Sequence, residues 1–211
     1  MTGNLIGNDA MTKMAALMAG CGLVALIGGT AAYTLASGSV DCDVASAVGA
    51  TIGGPFELVN AKGELVTDVE VIDRPALVYF GYTFCPDVCP LDVARNAVAF
   101  DILKEQGEDV SLVFITIDPQ RDTSEVLADY TDVMHPEMVA LGGSPEQIEN
   151  AAGVYRAYYD RSPGQDDEFY LMNHSTFTYL MMPGNEMAAF FRRDETPESM
   201  AEKSACMINN A

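Results

Sequence analysis

Ala76-Leu77-Val78-Tyr79-Phe80 is a continuous apolar run that stops at Gly81. A strand with one wet face alternates apolar and polar residues, so a run of strand length without that alternation has to be covered on both faces. Val110 to Ile117 is a second such segment, closed by Asp118-Pro119. Between the two, Pro90 suits the first position of a helix, and good helix formers continue from Leu91 to Gln106 until Gly107. The same rhythm goes on: Ser124 to Val133 predicts a helix, Met138 to Leu141 a short strand, and Pro145 to Tyr159 a helix capped by Ser144. Strands alternating with helices imply right-handed crossovers around a central sheet with helices on either side.

Hairpins bracket this α/β core. Phe56 to Val59, a turn over Asn60 to Gly63, and Glu64 to Val66 predict one at the start. Ser175 to Met182 and Met187 to Arg192, joined by Pro183-Gly184-Asn185, predict one at the close, and a last helix runs from Pro197 to Met207. Arg161 to Glu168 is polar, contains Pro163-Gly164, and reads as a surface loop. No internal repeat is visible.

Met14 to Ala36 carries no charge, and about 20 apolar residues cross a bilayer as a helix. A cleaved signal peptide has a shorter apolar core, of roughly 7 to 15 residues. A lipoprotein site at Cys21 is disfavoured because the apolar stretch continues past it. The expected organisation is therefore a cytoplasmic N-terminus (1–13), a transmembrane anchor (14–36), a small and polar linker (37–54) and a folded domain (55–211). Lys13 precedes the span, and no Lys or Arg follows it until Lys62, so the positive-inside rule exports the domain. A segment without Arg that carries Asp9 is unlike a mitochondrial transit peptide. The expected location is the bacterial inner membrane, single-pass, with the domain in the periplasm.

With 11 basic and 31 acidic residues the net charge is −20, which repels phosphate backbones and argues against nucleic acid. Five cysteines are not the even set of a disulfide-dense scaffold. Cys42 and Cys206 receive no role, and they can pair only if the linker folds back.

Chemistry concentrates at Cys85 and Cys89, which open a helix directly after a buried strand. Free N–H groups and the positive end of the helix dipole favour thiolate there. Spacing alone leaves metal ligands, a redox dithiol and an inert bridge all open. His174, just ahead of the closing hairpin, favours a metal if folding brings it to the sulfurs. Two thiolates and a neutral imidazole suit Cu(I), or Cu(II) with a further ligand, and zinc is the competitor. Asp118, Arg121 and Asp122 read as a strand-end turn and helix cap, Met172, Met181 and Met182 as core, and His135 as a solvent-facing helix end.

Four motifs in order carry a family resemblance: Gly54-Pro55-Phe56, Tyr79 to Pro90, Asp118-Pro119-Gln120-Arg121-Asp122-Thr123, and His174 to Met181. From Gly53 to about Ala205 the chain resembles the Sco/SenC family of membrane-anchored, thioredoxin-like copper chaperones. That resemblance implies a thioredoxin-like three-layer sandwich with an N-terminal hairpin behind one transmembrane helix. It also implies Cys85, Cys89 and His174 as copper ligands, and the copper-binding subunit of cytochrome c oxidase as partner, with a periplasmic copper donor or thiol reductant upstream. Asn173 stands where the family usually has Asp, and Phe84 where it often has His. The alternative function is a thiol-disulfide oxidoreductase that reduces the oxidase subunit's cysteines with Cys85 and Cys89 as its redox pair. A peroxidase would further need an arginine at a single reactive thiolate.

Overall fold

The computed structural model describes Cys42, Val44, residues 51–164 and residues 169–211. The expected anchor over 14–36 lies outside the described residues, as do most of the linker and positions 165–168 of the expected loop. Among the described residues no helix is long and apolar enough to cross a membrane.

Strand β1 (Glu57–Asn60) turns back into β2 (Leu65–Thr67) as an antiparallel hairpin. Asn60 Oδ1 accepts the N–H groups of Lys62 and Glu64, and Gly63 takes the left-handed conformation that closes the turn. One helical turn, α1 (Asp68–Val71), leads to β3 (Ala76–Gly81), buried at all six positions. Then come α2 (Val88–Glu105), β4 (Ser111–Thr116), α3 (Ser124–Met134), β5 (Met138–Gly142) and α4 (Pro145–Tyr155). After the short pair β6 (Tyr159–Arg161) and β7 (Met172–His174), the chain closes with β8 (Thr178–Met182), β9 (Glu186–Phe191) and α5 (Pro197–Asn209).

The seven-stranded sheet has the order β2-β1-β5-β4-β3-β8-β9. β3, β4 and β5 are parallel neighbours, and β8 pairs antiparallel with the other edge of β3. Successive residues of β3 point to opposite faces. The Tyr79 hydroxyl reaches Asp92 of α2, whereas the Phe80 ring lies 5.2 Å from that of Tyr155 in α4. Adjacent residues thus meet helices on opposite sides of the sheet, the layering that the uninterrupted apolar run demanded.

Three details differ from expectation. α2 begins at Val88, so Cys89 sits inside its first turn, and Pro90 loses nothing because first-turn N–H groups have no intrahelical acceptor. α4 stops at Tyr155, where Arg156 turns left-handed and the Ala157 N–H bonds back to the Ala152 carbonyl. Tyr158 and Tyr159 therefore leave the helix, and Tyr158 is exposed. His135 is largely covered, its ring edge-on to Phe100 and Nε2 3.2 Å from Asp101, because the flat ring seals an apolar surface that an open helix end would leave wet.

Ahead of β1 the described chain has no regular element and is held by other ties. Cys42 and Cys206 form a disulfide, which brings Cys42 to α5. The Gly53 N–H donates to the Val154 carbonyl, and Asn185 Nδ2 donates to the Gly54 carbonyl. Gly53 has φ +99°, and a Cβ there would fall 2.0 Å from the Asn185 carbonyl oxygen, so only glycine fits.

Candidate metal centre

Gly81 ends β3 where space runs out. A Cβ at this position would sit 2.9 Å from the Tyr79 ring and 3.3 Å from Cys89 Sγ, so its absence makes room for the buried sulfur. The loop Tyr82 to Asp87 follows, and the first turn of α2 then carries Cys89, fully buried, over Cys85, partly exposed. The Cys89 backbone N–H donates to Cys85 Sγ at 3.4 Å, the anion-stabilising geometry of a helix N-terminus.

His174 comes from the end of β7, in the two-stranded β6–β7 sheet outside the main one. Its Nε2 lies 3.2 Å from Cys89 Sγ, and one donor atom from each of Cys85, Cys89 and His174 lies within 4.8 Å of the others. The Ser175 carbonyl sits 2.8 Å from His174 Nδ1 and can only accept, so Nδ1 carries the proton and Nε2 presents its lone pair to the sulfurs. The rings of Tyr79 and Tyr82 stand edge-on to the imidazole at 6.1 and 6.0 Å and fix its tilt.

The two thiols are strongly unlike. The Cys89 thiol hydrogen-bonds to Cys85 and, with the N–H groups of Asp87 and Cys89, holds the Cys85 pKa far below the ordinary thiol range against the opposing effect of burial. Cys89 is pushed up by the same bond to Cys85 and by its own burial. One proton is thus shared by the metal-free pair, and a metal that takes both sulfurs displaces it. The result is three soft or borderline donors, of which Cys85 and His174 are partly exposed. A closed structural zinc site needs four protein donors, and the cluster found among the described residues has three.

Sequence reasoning missed the groups that build the frame. Asp122 is no helix cap, since Thr123 caps α3. Its buried carboxylate accepts from the Thr83 N–H at 3.0 Å, the Thr83 hydroxyl at 2.6 Å and the Thr116 hydroxyl, tying the start of the cysteine loop to β4. Arg121 pairs with Asp118 at 2.6 Å and stacks on Tyr170, and the Tyr170 hydroxyl donates to the same Asp118. An acidic residue directly after a buried strand, at the carboxyl end of the sheet where sites gather, was the available signal. Asn173 is exposed and faces Asp160 across the β6–β7 ladder, so an aspartate there would set two like charges opposite each other.

Residues 44–209 match the family model described as SCO1/SenC. The chain is 48% identical over 207 residues to Protein SenC of Rhodobacter capsulatus, covering 95% of this chain and 93% of that protein. Among solved structures, copper-bound ScoI of Arabidopsis thaliana is 37% identical with a TM-score of 0.71, covering 76% of this chain and 99% of that one. Copper-bound ScoI of Bradyrhizobium japonicum is 34% identical with a TM-score of 0.66, covering 73% and 98%.

Proposed function

Because the chain belongs to the SCO1/SenC family, we propose that it is a membrane-anchored copper chaperone. It takes copper as cargo on Cys85, Cys89 and His174 and delivers it to the binuclear copper centre of cytochrome c oxidase. One observation carries this reading: His174 Nε2, freed as an acceptor by the Nδ1–H bond to Ser175, stands at bonding range of the dithiol. A dithiol working only by disulfide exchange has no need of that imidazole. Two thiolates and one imidazole suit Cu(I) in a near-trigonal site and accept Cu(II) when a further ligand joins. The copper-bound relatives support the metal's identity.

In this reading the domain faces the periplasm from a single anchor over 14–36 in a bacterial inner membrane. Its partners are the oxidase's copper-binding subunit and a periplasmic copper donor or thiol reductant. Oxidation of Cys85 and Cys89 to a disulfide removes two of three donors, so the redox state of the pair gates loading. The same thiolate at Cys85 favours a second reading, in which the pair reduces the cysteines of the oxidase subunit.

His174→Ala separates the two. Copper affinity should fall while dithiol-disulfide exchange with a model disulfide persists. Unchanged copper binding would remove the histidine from the site, and lost exchange with retained copper would favour the reductase.

A further inference from the structure

Each half of the metal site is well fixed within itself, but the halves belong to separate parts of the fold. Cys85 and Cys89 ride on the main sheet and α2, whereas His174 rides on the detached β6–β7 hairpin. Strands of three residues cannot hold a register unaided. Something must bind that hairpin to the cysteine loop, and besides Tyr82 of the loop itself, Arg121 touches both.

Its guanidinium carbon lies 3.6 Å from the ring centroid of Tyr170, four residues ahead of His174 in the chain. It lies 5.0 Å from the Phe84 ring, next to Cys85, and 5.7 Å from that of Tyr82. Asp118 holds both members of the stack, accepting Arg121 Nε on one oxygen and the Tyr170 hydroxyl on the other. Tyr82 closes the ring of contacts: its hydroxyl accepts the Met172 N–H at 3.3 Å while its ring stands against the imidazole. Arg121 Nη2 is buried without a hydrogen-bond partner among the described residues, so hydrogen bonding alone does not account for where this guanidinium sits. Stacking on aromatic faces does.

We propose that Arg121 is a positioning residue: an arginine clasp, seated on Asp118, that joins the histidine hairpin to the dithiol loop and thereby holds His174 as third donor. The inference rests on the copper reading above. It assigns Arg121, Asp118 and Tyr170 to metal retention although none of them is a ligand. Lysine at 121 keeps the charge beside Asp118 but lacks the planar face.

The test is a double-mutant cycle on the full chain in mild detergent, with Arg121→Lys and His174→Ala alone and together, reading copper affinity by competition with a chelator. Arg121→Lys should weaken copper by about 10- to 100-fold, the usual effect of removing a group that orients a ligand. In the His174→Ala background the same change should cost nothing further, because the donor it positions is gone. Metal-free Arg121→Lys should also show faster amide exchange at Met172 and Ser175, with Phe100 and Leu103 in α2 unchanged. Equal losses in both backgrounds, full affinity in Arg121→Lys, or unaltered exchange in the hairpin would overturn the clasp. Should His174→Ala itself leave copper affinity untouched, the three-donor site fails and the clasp fails with it.

Discussion

Removing the Cys42–Cys206 disulfide should destabilise the domain without emptying the metal site. The bridge links residues 164 apart, nearly the whole folded chain. Loop-closure entropy for so long a ring gives about 5 kcal/mol at 25 °C, and measured values usually fall at 2 to 4 because residual structure intervenes. We expect Cys42→Ser/Cys206→Ser to lower the unfolding free energy by about 3 kcal/mol. The denaturant slope should rise as well, since an uncrosslinked unfolded chain exposes more surface. Urea titration of the metal-free protein under anaerobic, non-reducing conditions, followed by far-UV circular dichroism, reads both quantities. Copper stoichiometry should stay at the wild-type value, since neither sulfur belongs to the donor cluster. A loss below about 1 kcal/mol with an unchanged slope would show that the segment ahead of β1 is held by its hydrogen bonds alone and that the bridge is incidental.

Asp122→Ala should cost about 3 kcal/mol or more, because it strands the Thr83 N–H and leaves a cavity where a carboxylate took three bonds. Asp122→Asn should cost only about 1 kcal/mol, since burial already raises the pKa of this carboxyl and a hydroxyl can reverse to donate or accept; equal losses on chemical denaturation would refute the three-bond account. In the reduced, metal-free protein Cys85 should stay thiolate as pH falls from 8 to 5, because its pKa is lowered, so its alkylation rate should remain nearly flat. An ordinary thiol slows by roughly three orders of magnitude over that range. Cys89, whose pKa is raised, should resist alkylation throughout, and peptide mass mapping of the alkylated protein would expose a reversal of the two.

The main sheet was legible because strands covered on both faces write themselves as unbroken apolar runs, and β3 and β4 are of that kind. The β6–β7 hairpin was not. Tyr159-Asp160-Arg161 and Met172-Asn173-His174 are too short to show a period, and their pairing is decided by where α4 ends. Cys85, Cys89 and His174 could be named from residue type and motif, but the distance between them is a tertiary fact. Asp122 followed the same logic in reverse: its sequence context is that of a turn, and only burial turns it into an acceptor for the cysteine loop. The pairing of Cys42 with Cys206 was hidden for the plainest reason, since no local pattern reports a contact across 164 residues.

The three donors are held with graded firmness, and the grading bears on release. Cys89 is buried at the foot of α2, Cys85 is half open in the preceding loop, and His174 hangs on a hairpin outside the main sheet. If copper is passed on by ligand exchange, as proposed above, it leaves one bond at a time, so the order of departure follows the ease with which each donor moves away. Swinging the histidine hairpin breaks the Tyr82–Met172 bond and the stack on Tyr170, whereas moving Cys89 means withdrawing a helix turn from the core under Gly81. An incoming thiolate therefore meets least resistance on the imidazole side, with Cys85 next and Cys89 last. A site built for permanent retention would bury its three donors alike; on the chaperone reading proposed above, the spread from a sealed sulfur to an imidazole on an outlying hairpin would let copper depart stepwise without unfolding the domain that carries it.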